Sequence, residues 1–308
     1  MRYNDYTSIL KNKLGGRIQK ITVNAGFTCP NRDGTKGTGG CTYCNNQTFS
    51  PDYCHTPKSV SEQVEEGIRF FHHKYEAQKY IVCFQSYTNT YGDISHLIKL
   101  YEEALAHPKV VGLAIGTRPD CVSDELLDYF AGLAQKKYLM IEYGIESTFD
   151  ETLQFINRGH SFTDAENAIR RTAERGILVG VHLILGLPNE NREMILSHAD
   201  KISKLPITAL KLHQLQLVRG TKMAAQYAEN SGIFRLYNVD EYIDLAIDFL
   251  ERLNPAIAIE RFVSQSPKEL LIAPDWGVKN FEFTDKINKR LAMRETFQGR
   301  MYHLSDGK

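Results

Sequence analysis

The sequence has 308 residues, of which 42% are hydrophobic, and it carries 37 basic and 37 acidic side chains. This length suits either one α/β barrel or two smaller domains. The balanced charge excludes a protein that is held to nucleic acid by net charge alone. Because we find no run of 18 apolar residues and no apolar leader segment, we expect neither a membrane span nor a signal peptide, and we expect a cytoplasmic location.

Apolar runs of strand length alternate with helical stretches along most of the chain. The predicted strands lie at 18–24, 80–86, 110–116, 139–145, 178–185, 209–215 and 256–262, and the predicted helices at 59–75, 94–106, 124–135, 164–175, 192–204 and 239–253. Ser59 and Glu62 have the spacing of a capping box, and Gly176 is placed to end a helix. This alternation predicts a parallel sheet that right-handed crossovers curl into a full or partial barrel, with chemistry at the carboxyl ends of the strands.

The loop after the first predicted strand holds three of the six cysteines, Cys29, Cys41 and Cys44, with the spacing C-x11-C-x2-C. Four glycines lie between the first two, and a glycine-rich loop can fold tightly around an inorganic cluster. Three thiolates suit a [4Fe-4S] cluster that keeps one iron open. A closed zinc site would instead need a fourth ligand, for which Cys54 or His55 is available.

Residues 26–46, GFTCPNRDGTKGTGGCTYCNN, resemble the signature of the YhcC/YtqA-type family of the radical S-adenosylmethionine superfamily. The long cysteine spacing is similar to the branch near the Elongator catalytic subunit. The resemblance implies an α/β fold, a partial (β/α)6 barrel with a C-terminal α/β extension. It also implies that Cys29, Cys41 and Cys44 bind a [4Fe-4S] cluster, whose fourth iron chelates the amino and carboxylate groups of S-adenosyl-L-methionine. We expect a core barrel over 1–235 with a cluster loop at 25–47, and an extension over 236–308 that packs on the barrel as one structural unit.

The same resemblance assigns residues at the strand ends to the cofactor and the substrate. The cofactor-binding candidates are Tyr43, Gln85, Asn89, Glu146, Arg158, His182 and Gly186, and the substrate candidates are Arg118, Lys211 and His213. Arg158 is expected to pair with the methionine carboxylate, and Glu146 to accept hydrogen bonds from ribose hydroxyls or the ammonium group. His182 stands where relatives often carry a ribose-binding aspartate.

Several of these candidates also have a structural interpretation. Gln85 and Asn89, which replace the superfamily's Gly-Gly-Glu-like segment, suit a polar turn as well. Arg118 has possible ion-pair partners in Asp120 and Asp124. A satisfied core histidine is the alternative for His182, and a snorkelling side chain is the alternative for Lys211.

The resemblance implies an enzyme that reductively cleaves S-adenosylmethionine to a 5′-deoxyadenosyl radical, with an electron donor such as flavodoxin or ferredoxin. The YtqA-type, MnmL-like group is linked to tRNA, where wobble 5-carboxymethylaminomethyl(-2-thio)uridine would become the 5-aminomethyl form. Residues 1–40 carry seven basic and two acidic side chains, which suits either a tRNA partner or an ordinary solvated surface. A radical enzyme for a small metabolite and a zinc-stabilised nucleic-acid-binding protein remain alternatives.

Overall fold

Seven parallel strands form one curled sheet in the computed structural model, which describes residues 2–45, 53–54, 58–72 and 78–302. The strands are β1 (Ile18–Val23), β2 (Lys79–Phe84), β3 (Val110–Thr117), β4 (Tyr138–Glu146), β5 (Leu178–Leu185), β6 (Ala209–Gln214) and β8 (Ala258–Arg261), and they lie side by side in that order. The sheet curls far enough for Lys20 on the first strand to reach Glu260 on the last, at 2.6 Å. The predicted partial barrel is therefore confirmed.

Ten helices are described, and most connect consecutive strands. They are α1 (Tyr6–Leu14), α2 (Val60–His72), α3 (Ile94–Leu105), α4 (Asp124–Ala134), α5 (Asp150–Phe155), α6 (Phe162–Glu174), α7 (Arg192–Ile202), α8 (Lys222–Glu229), α9 (Val239–Arg252) and α10 (Asn280–Met293). The Ser59–Glu62 capping box is present: the Ser59 N–H donates to Glu62 Oε2 at 2.7 Å, and the Glu62 N–H donates to Ser59 Oγ at 3.2 Å. Residues 73–75 of that predicted helix lie outside the described residues.

The core has an outer and an inner part, because both faces of the sheet are covered. All nine residues of β4 are buried, as its nearly continuous apolar sequence predicts for a central parallel strand. A large apolar cluster lies between the strands and the helices. A smaller cluster fills one end of the barrel interior, where Tyr6 of α1 hydrogen-bonds the hydroxyl of Tyr138 at 2.5 Å. Helix α1, which was not predicted, thus contributes to the barrel interior.

The C-terminal part contributes to the barrel sheet as well as packing on its outside. Strand β8 pairs with β6, and α9 packs against α7 and α10. A short antiparallel pair, β7 (Leu217–Val218) with β9 (Leu271–Ala273), lies outside the main sheet. The boundary between 235 and 236 remains a prediction. Among the described residues, no helix is long and apolar enough to cross a membrane.

Candidate active site

A cleft opens at the carboxyl ends of the strands, as a barrel of this kind predicts. Ten predicted site residues line it: Cys29, Cys41, Tyr43, Cys44, Gln85, Arg118, Glu146, Arg158, His182 and His213. The fold therefore brings together residues from the cluster loop and from five different strand ends. The other three candidates, Asn89, Gly186 and Lys211, are not part of the lining.

The cluster loop is held by its own backbone and by the segment after α5. Turn hydrogen bonds join the Arg32 N–H to the Cys29 carbonyl at 2.7 Å and the Gly40 N–H to the Asn31 carbonyl at 2.8 Å. Gly40 has a φ of 71°, and a Cβ there would lie 2.5 Å from Arg32 Nε, so the tight turn before Cys41 requires glycine. The Arg32 guanidinium donates to the Cys44 carbonyl at 2.7 Å and thereby closes the loop.

The cysteine thiols have donors and a cation beside them. Arg158 Nη1 lies 3.5 Å from Cys41 Sγ, and Asn31 Nδ2 lies 3.8 Å from the same sulfur. Burial raises the pKa of the Cys44 thiol to about 12, with a further contribution from the nearby Cys41. Three thiols with a guanidinium and an amide donor fit the ligands of an anionic iron–sulfur cluster, whose sulfurs accept such hydrogen bonds.

Cys54, which was the possible fourth ligand of a zinc site, lies apart from this group. Its thiol is buried and contacts Gln63 Oε1 at 3.2 Å and the Thr22 carbonyl at 3.4 Å. Over the described ranges, no three His, Cys, Asp or Glu side chains are close enough to hold one metal ion. The other zinc candidate, His55, lies outside the described residues.

Arg158 and Glu146 stand side by side next to Cys41, with 3.9 Å between Nη2 and Oε1. Arg158 also donates to the Gly144 carbonyl from Nη2 at 2.5 Å and from Nε at 3.2 Å, so that it connects the end of β4 to the cluster loop. Burial raises the pKa of the Glu146 carboxyl, and the backbone of this residue is left-handed with a φ of 64°. Such a conformation is uncommon in a non-glycine residue and strains the backbone at this point.

Arg118 is buried and its guanidinium donates four hydrogen bonds within the protein. It pairs with both oxygens of Asp120 at 3.0 Å and donates to the Arg158 carbonyl at 2.8 Å. The Asp120 ion pair considered from sequence is thus present, although Arg118 also lines the cleft. Its contacts indicate that it positions the segment that carries Arg158.

The remaining predicted residues have contacts of different kinds. Asn89 Nδ2 donates to the carbonyls of Phe84 and Gly116, at 3.2 and 2.8 Å, which joins the ends of β2 and β3. Gly186 has a φ of 91°, and a Cβ there would meet the Tyr237 ring at 3.2 Å. Gln85 lies on the cleft wall beside Tyr87, a partly exposed aromatic residue with a φ of 64° that we did not predict from sequence.

A group of ionisable side chains lies at the inner end of the cleft, and we call it the cleft floor. It consists of Lys20, Glu142, His182, Lys211, His213, Glu260 and Arg261. Three of its members, Glu142, His182 and His213, line the cleft itself, and the others lie behind them. Lys20 Nζ lies 3.2 Å from Glu142 and 2.6 Å from Glu260, and Lys211 also pairs with both carboxylates. We did not predict a site role for Lys20 or Glu142 from sequence, whereas the segment with Glu260 and Arg261 was expected to close the barrel and shape the substrate site. The sequence does contain a sign of these residues, because each is a charged residue within an otherwise apolar predicted strand.

The ionisation of the cleft floor follows from burial and from these pairs. Burial opposes a charge on Glu142, but Lys20 and Lys211 outweigh it and hold its pKa well below the usual range. Burial, followed by the charge of Lys211, lowers the pKa of His182 to about 4. Burial and then Arg261 lower the pKa of His213 well below its ordinary value. Both imidazoles are therefore neutral near pH 7.

Two family models match this chain. The model described as the radical SAM superfamily matches residues 29–202, which is more than half of the chain, and the one described as the radical SAM C-terminal domain matches residues 207–293. The chain therefore belongs to the radical SAM superfamily. It is an enzyme that uses S-adenosylmethionine and a [4Fe-4S] cluster.

The chain also has full-length relatives within this superfamily. It is 35% identical to the uncharacterized protein YtqA of Bacillus subtilis, over 98% of this chain and 93% of that protein. It is 32% identical to the protein YhcC of Escherichia coli, over 89% of this chain and 87% of that protein. The chain thus shares a family with YtqA and YhcC.

More distant matches include proteins named for tRNA and Elongator. A tRNA uridine(34) acetyltransferase of Methanocaldococcus infernus is 27% identical over 188 residues, which are 60% of this chain and 34% of that protein. The solved structure of the archaeal Methanocaldococcus infernus Elp3 with an N-terminal deletion of residues 1–46 has a TM-score of 0.69 at 17% identity. The match covers 91% of this chain and 64% of the Elp3 chain. At this identity the structural likeness shows the shared fold.

Proposed function

We propose that the enzyme holds its cluster through Cys29, Cys41 and Cys44 and modifies the wobble uridine of tRNA. The reaction proposed is the conversion of 5-carboxymethylaminomethyl(-2-thio)uridine to the 5-aminomethyl form. Loss of one hydrogen atom from the carboxymethyl CH2 group, and of one proton and one electron to the electron carrier, would give an imine, which water would hydrolyse to the amine and glyoxylate. The observation that carries the proposal is the arrangement at the cleft, where three loop thiols stand beside the buried Arg158–Glu146 pair. When bound, the cluster and S-adenosylmethionine supply a 5′-deoxyadenosyl radical that abstracts hydrogen from the substrate.

The first contribution of the chain is electrostatic. The Arg158 guanidinium lies against Cys41 Sγ, and a thiolate ligand there is stabilised by the adjacent positive charge. The Gly144 carbonyl accepts hydrogen bonds from Nε and Nη2 of the same guanidinium, and these two bonds fix the orientation of the guanidinium. Since the guanidinium has five N–H groups, donors remain on it for a ligand carboxylate.

The second contribution is the recognition of S-adenosylmethionine. Its ammonium group and ribose hydroxyls need acceptors, and Glu146 provides a buried carboxyl beside the thiols. Gln85 and Tyr43 complete this part of the cleft wall. Asn89 supports the wall through the carbonyls of Phe84 and Gly116, and Gly186 keeps space for the Tyr237 ring.

The proposed tRNA substrate is supported by the mouth of the cleft and by the distant relatives. Tyr87, which lines the cleft, is 38% exposed, and Tyr91 is 40% exposed. Lys36 Nζ lies 5.7 Å from the centre of the Tyr91 ring and also pairs with Asp120 at 3.4 Å. Exposed aromatic rings beside basic side chains suit the stacking of unpaired bases near phosphates. A wobble base stands in a loop, so it can enter a barrel without the opening of a duplex.

One pair of experiments tests the cofactor assignment. The enzyme is purified and reconstituted anaerobically, and iron content and 5′-deoxyadenosine formation are measured with flavodoxin, ferredoxin or dithionite as reductant. We expect the Cys29→Ala, Cys41→Ala and Cys44→Ala variants to lose the cluster and the product. A matched Cys54→Ala variant should keep both, and retention of 5′-deoxyadenosine formation by the triple variant would disprove the assignment. Stoichiometric zinc without iron would support a zinc-stabilised binding protein instead.

The substrate is tested in a strain that lacks the gene. Nucleosides from its total tRNA are measured by mass spectrometry, before and after complementation with the wild-type gene or with the triple cysteine variant. We expect the carboxymethylaminomethyl nucleoside to accumulate and only the wild-type gene to reverse this. An unchanged wobble-uridine profile would disprove the tRNA substrate and favour a small metabolite.

A further inference from the structure

We propose that the cleft floor is a carboxylate-binding site, in which His182 and His213 donate hydrogen bonds to an anionic group of the substrate. The identity of that group rests on the proposed function, because the carboxymethyl arm of the proposed uridine carries one carboxylate. The site itself rests on the two histidines and on the charges around them.

The two imidazoles form a pair with unused polar atoms. His182 on β5 and His213 on β6 stack with 5.6 Å between ring centres and 28° between ring planes, and both line the cleft. The Nε2 atoms of both are buried and have no hydrogen-bond partner in the described part of the chain. Because a buried polar atom without a partner is unfavourable, an acceptor brought in by a ligand would stabilise both rings at once.

The cleft floor has an excess of positive charge. Its charged members are three cations, Lys20, Lys211 and Arg261, and the two carboxylates Glu142 and Glu260. With neutral histidines this leaves one positive charge. Of the other titratable neighbours, Tyr6 and Tyr138 have raised pKa values and burial raises that of Cys83 to about 12, so they add no charge at pH 7.

The nearest acceptor of the protein is already occupied by other partners. His182 Nε2 lies 3.6 Å from Glu142 Oε2, which is longer than a normal hydrogen bond, while Lys20 and Lys211 hold that carboxylate. The charge of Arg261 lowers the pKa of His213 and also that of Glu260, so this guanidinium lies near both groups. An incoming carboxylate therefore finds two imidazole donors whose Nε2 atoms have no partner among the described residues.

This arrangement distinguishes the proposed substrate from its product. The substrate arm ends in a carboxylate, whereas the aminomethyl product carries only an amine that is protonated near pH 7. The positive cleft floor stabilises the carboxylate of the substrate and repels the protonated amine of the product. The site would thus favour the binding of substrate and the release of product.

A labelling experiment tests the site without any substitution. Diethyl pyrocarbonate modifies neutral imidazoles, and mass spectrometry gives its rate at each histidine of the anaerobically reconstituted enzyme. We expect 5-carboxymethylaminomethyluridine to slow labelling of His182 and His213 about 10- to 100-fold, as hydrogen bonds to a charged group would. We expect 5-aminomethyluridine to leave the rates unchanged, and exposed His96 to react equally throughout. Protection of His182 by S-adenosylmethionine alone would overturn the proposal, because it would make this residue a ribose contact.

A binding experiment tests the same site through discrimination. Dissociation constants are measured for tRNA with the carboxymethylaminomethyl group and for tRNA with the aminomethyl group, using the wild type and the His182→Gln and His213→Gln variants. We expect the wild type to prefer the first tRNA and the variants to lose this preference while they still bind the second. Unchanged discrimination together with no protection by the carboxylate nucleoside would disprove the site. Protection by the nucleoside or by sodium acetate without any tRNA binding would support the site and disprove the tRNA substrate.

Discussion

Lys20 Nζ lies 2.6 Å from Glu260 Oε1, so an ion pair joins the first and last strands of the sheet across the interior of the barrel. The same ammonium group lies 3.2 Å from Glu142 on the central strand β4. One side chain therefore links three strands that the backbone does not bring together directly. Its removal would leave two buried carboxylates with one cation fewer.

We expect Lys20→Met to lower the free energy of unfolding by about 2–4 kcal/mol, which is less than for a fully enclosed pair because the Lys20 side chain is 24% exposed. The measurement is urea unfolding followed by the fluorescence of Trp276, the single tryptophan. Lys289→Met is the control, since its pair with Asp285 is largely exposed and its loss should change stability little. Equal stability of the two variants would contradict the buried link.

The neutral histidine pair predicts a pH dependence of stability. His182 has a folded pKa of about 4 and His213 a value well below the ordinary 6.5, so below pH 6.5 the unfolded chain binds protons that the folded protein does not. Stability should therefore fall as pH decreases from 6.5 toward 4, by up to about 1.4 kcal/mol per pH unit for each histidine. The double variant His182→Gln/His213→Gln should show a flatter profile between pH 6.5 and 5. A profile as steep as that of the wild type would mean that other groups cause the loss.

Gly144→Ala should disturb the contact between Arg158 and the cluster loop. A Cβ at this position would lie 2.6 Å from Glu146 Oε1 and 2.8 Å from Arg158 Nη2. We expect 5′-deoxyadenosine formation to fall about 100-fold, because a displacement of about 1 Å at a reacting site has effects of this size. Gly132→Ala in α4 meets no atom within 4 Å and should leave this rate unchanged. If both variants kept the wild-type rate, the position of Arg158 would not matter for the reaction.

The Asn89→Ala variant tests whether Asn89 supports the cleft wall or contacts the cofactor directly. The Asn89 side chain donates to two buried carbonyls, so its loss should lower the free energy of unfolding by about 1–3 kcal/mol. We expect the KM for S-adenosylmethionine to stay within about threefold of the wild-type value, since a shift of that size is under 1 kcal/mol. A large increase in KM with unchanged stability would instead favour the direct contact expected from sequence.

The repeated strand–helix units were predictable because their signals are local. Strand β5 (Leu178–Leu185) has the bounds predicted for it, and the Ser59–Glu62 capping box has the predicted contacts. Helix α1 was missed because its sequence, YTSILKNKL, has a weak apolar periodicity. Helix α10 was missed as well, since its apolar residues are interspersed with charges.

The candidate site also has one part that could be predicted from sequence and one part that could not. The cysteine loop is visible as one short segment, whereas the cleft floor joins residues as far apart as Lys20 and Glu260. No local pattern relates these two positions, and their pairing follows only from the curvature of the whole sheet. The sequence does show charges within apolar strands, so it indicates that partners exist but not which ones.

The edge of β8 next to the cleft floor is completed by residues near the start of the described chain. The Ile259 N–H donates to the Asn4 carbonyl at 2.7 Å, and Asp5 forms a parallel bridge with Ile259. During synthesis, Asn4 and Asp5 leave the ribosome long before Ile259 does. The nascent chain must therefore keep this segment without its final partner until the other six strands of the sheet have been made, so this seam cannot close before synthesis has reached β8.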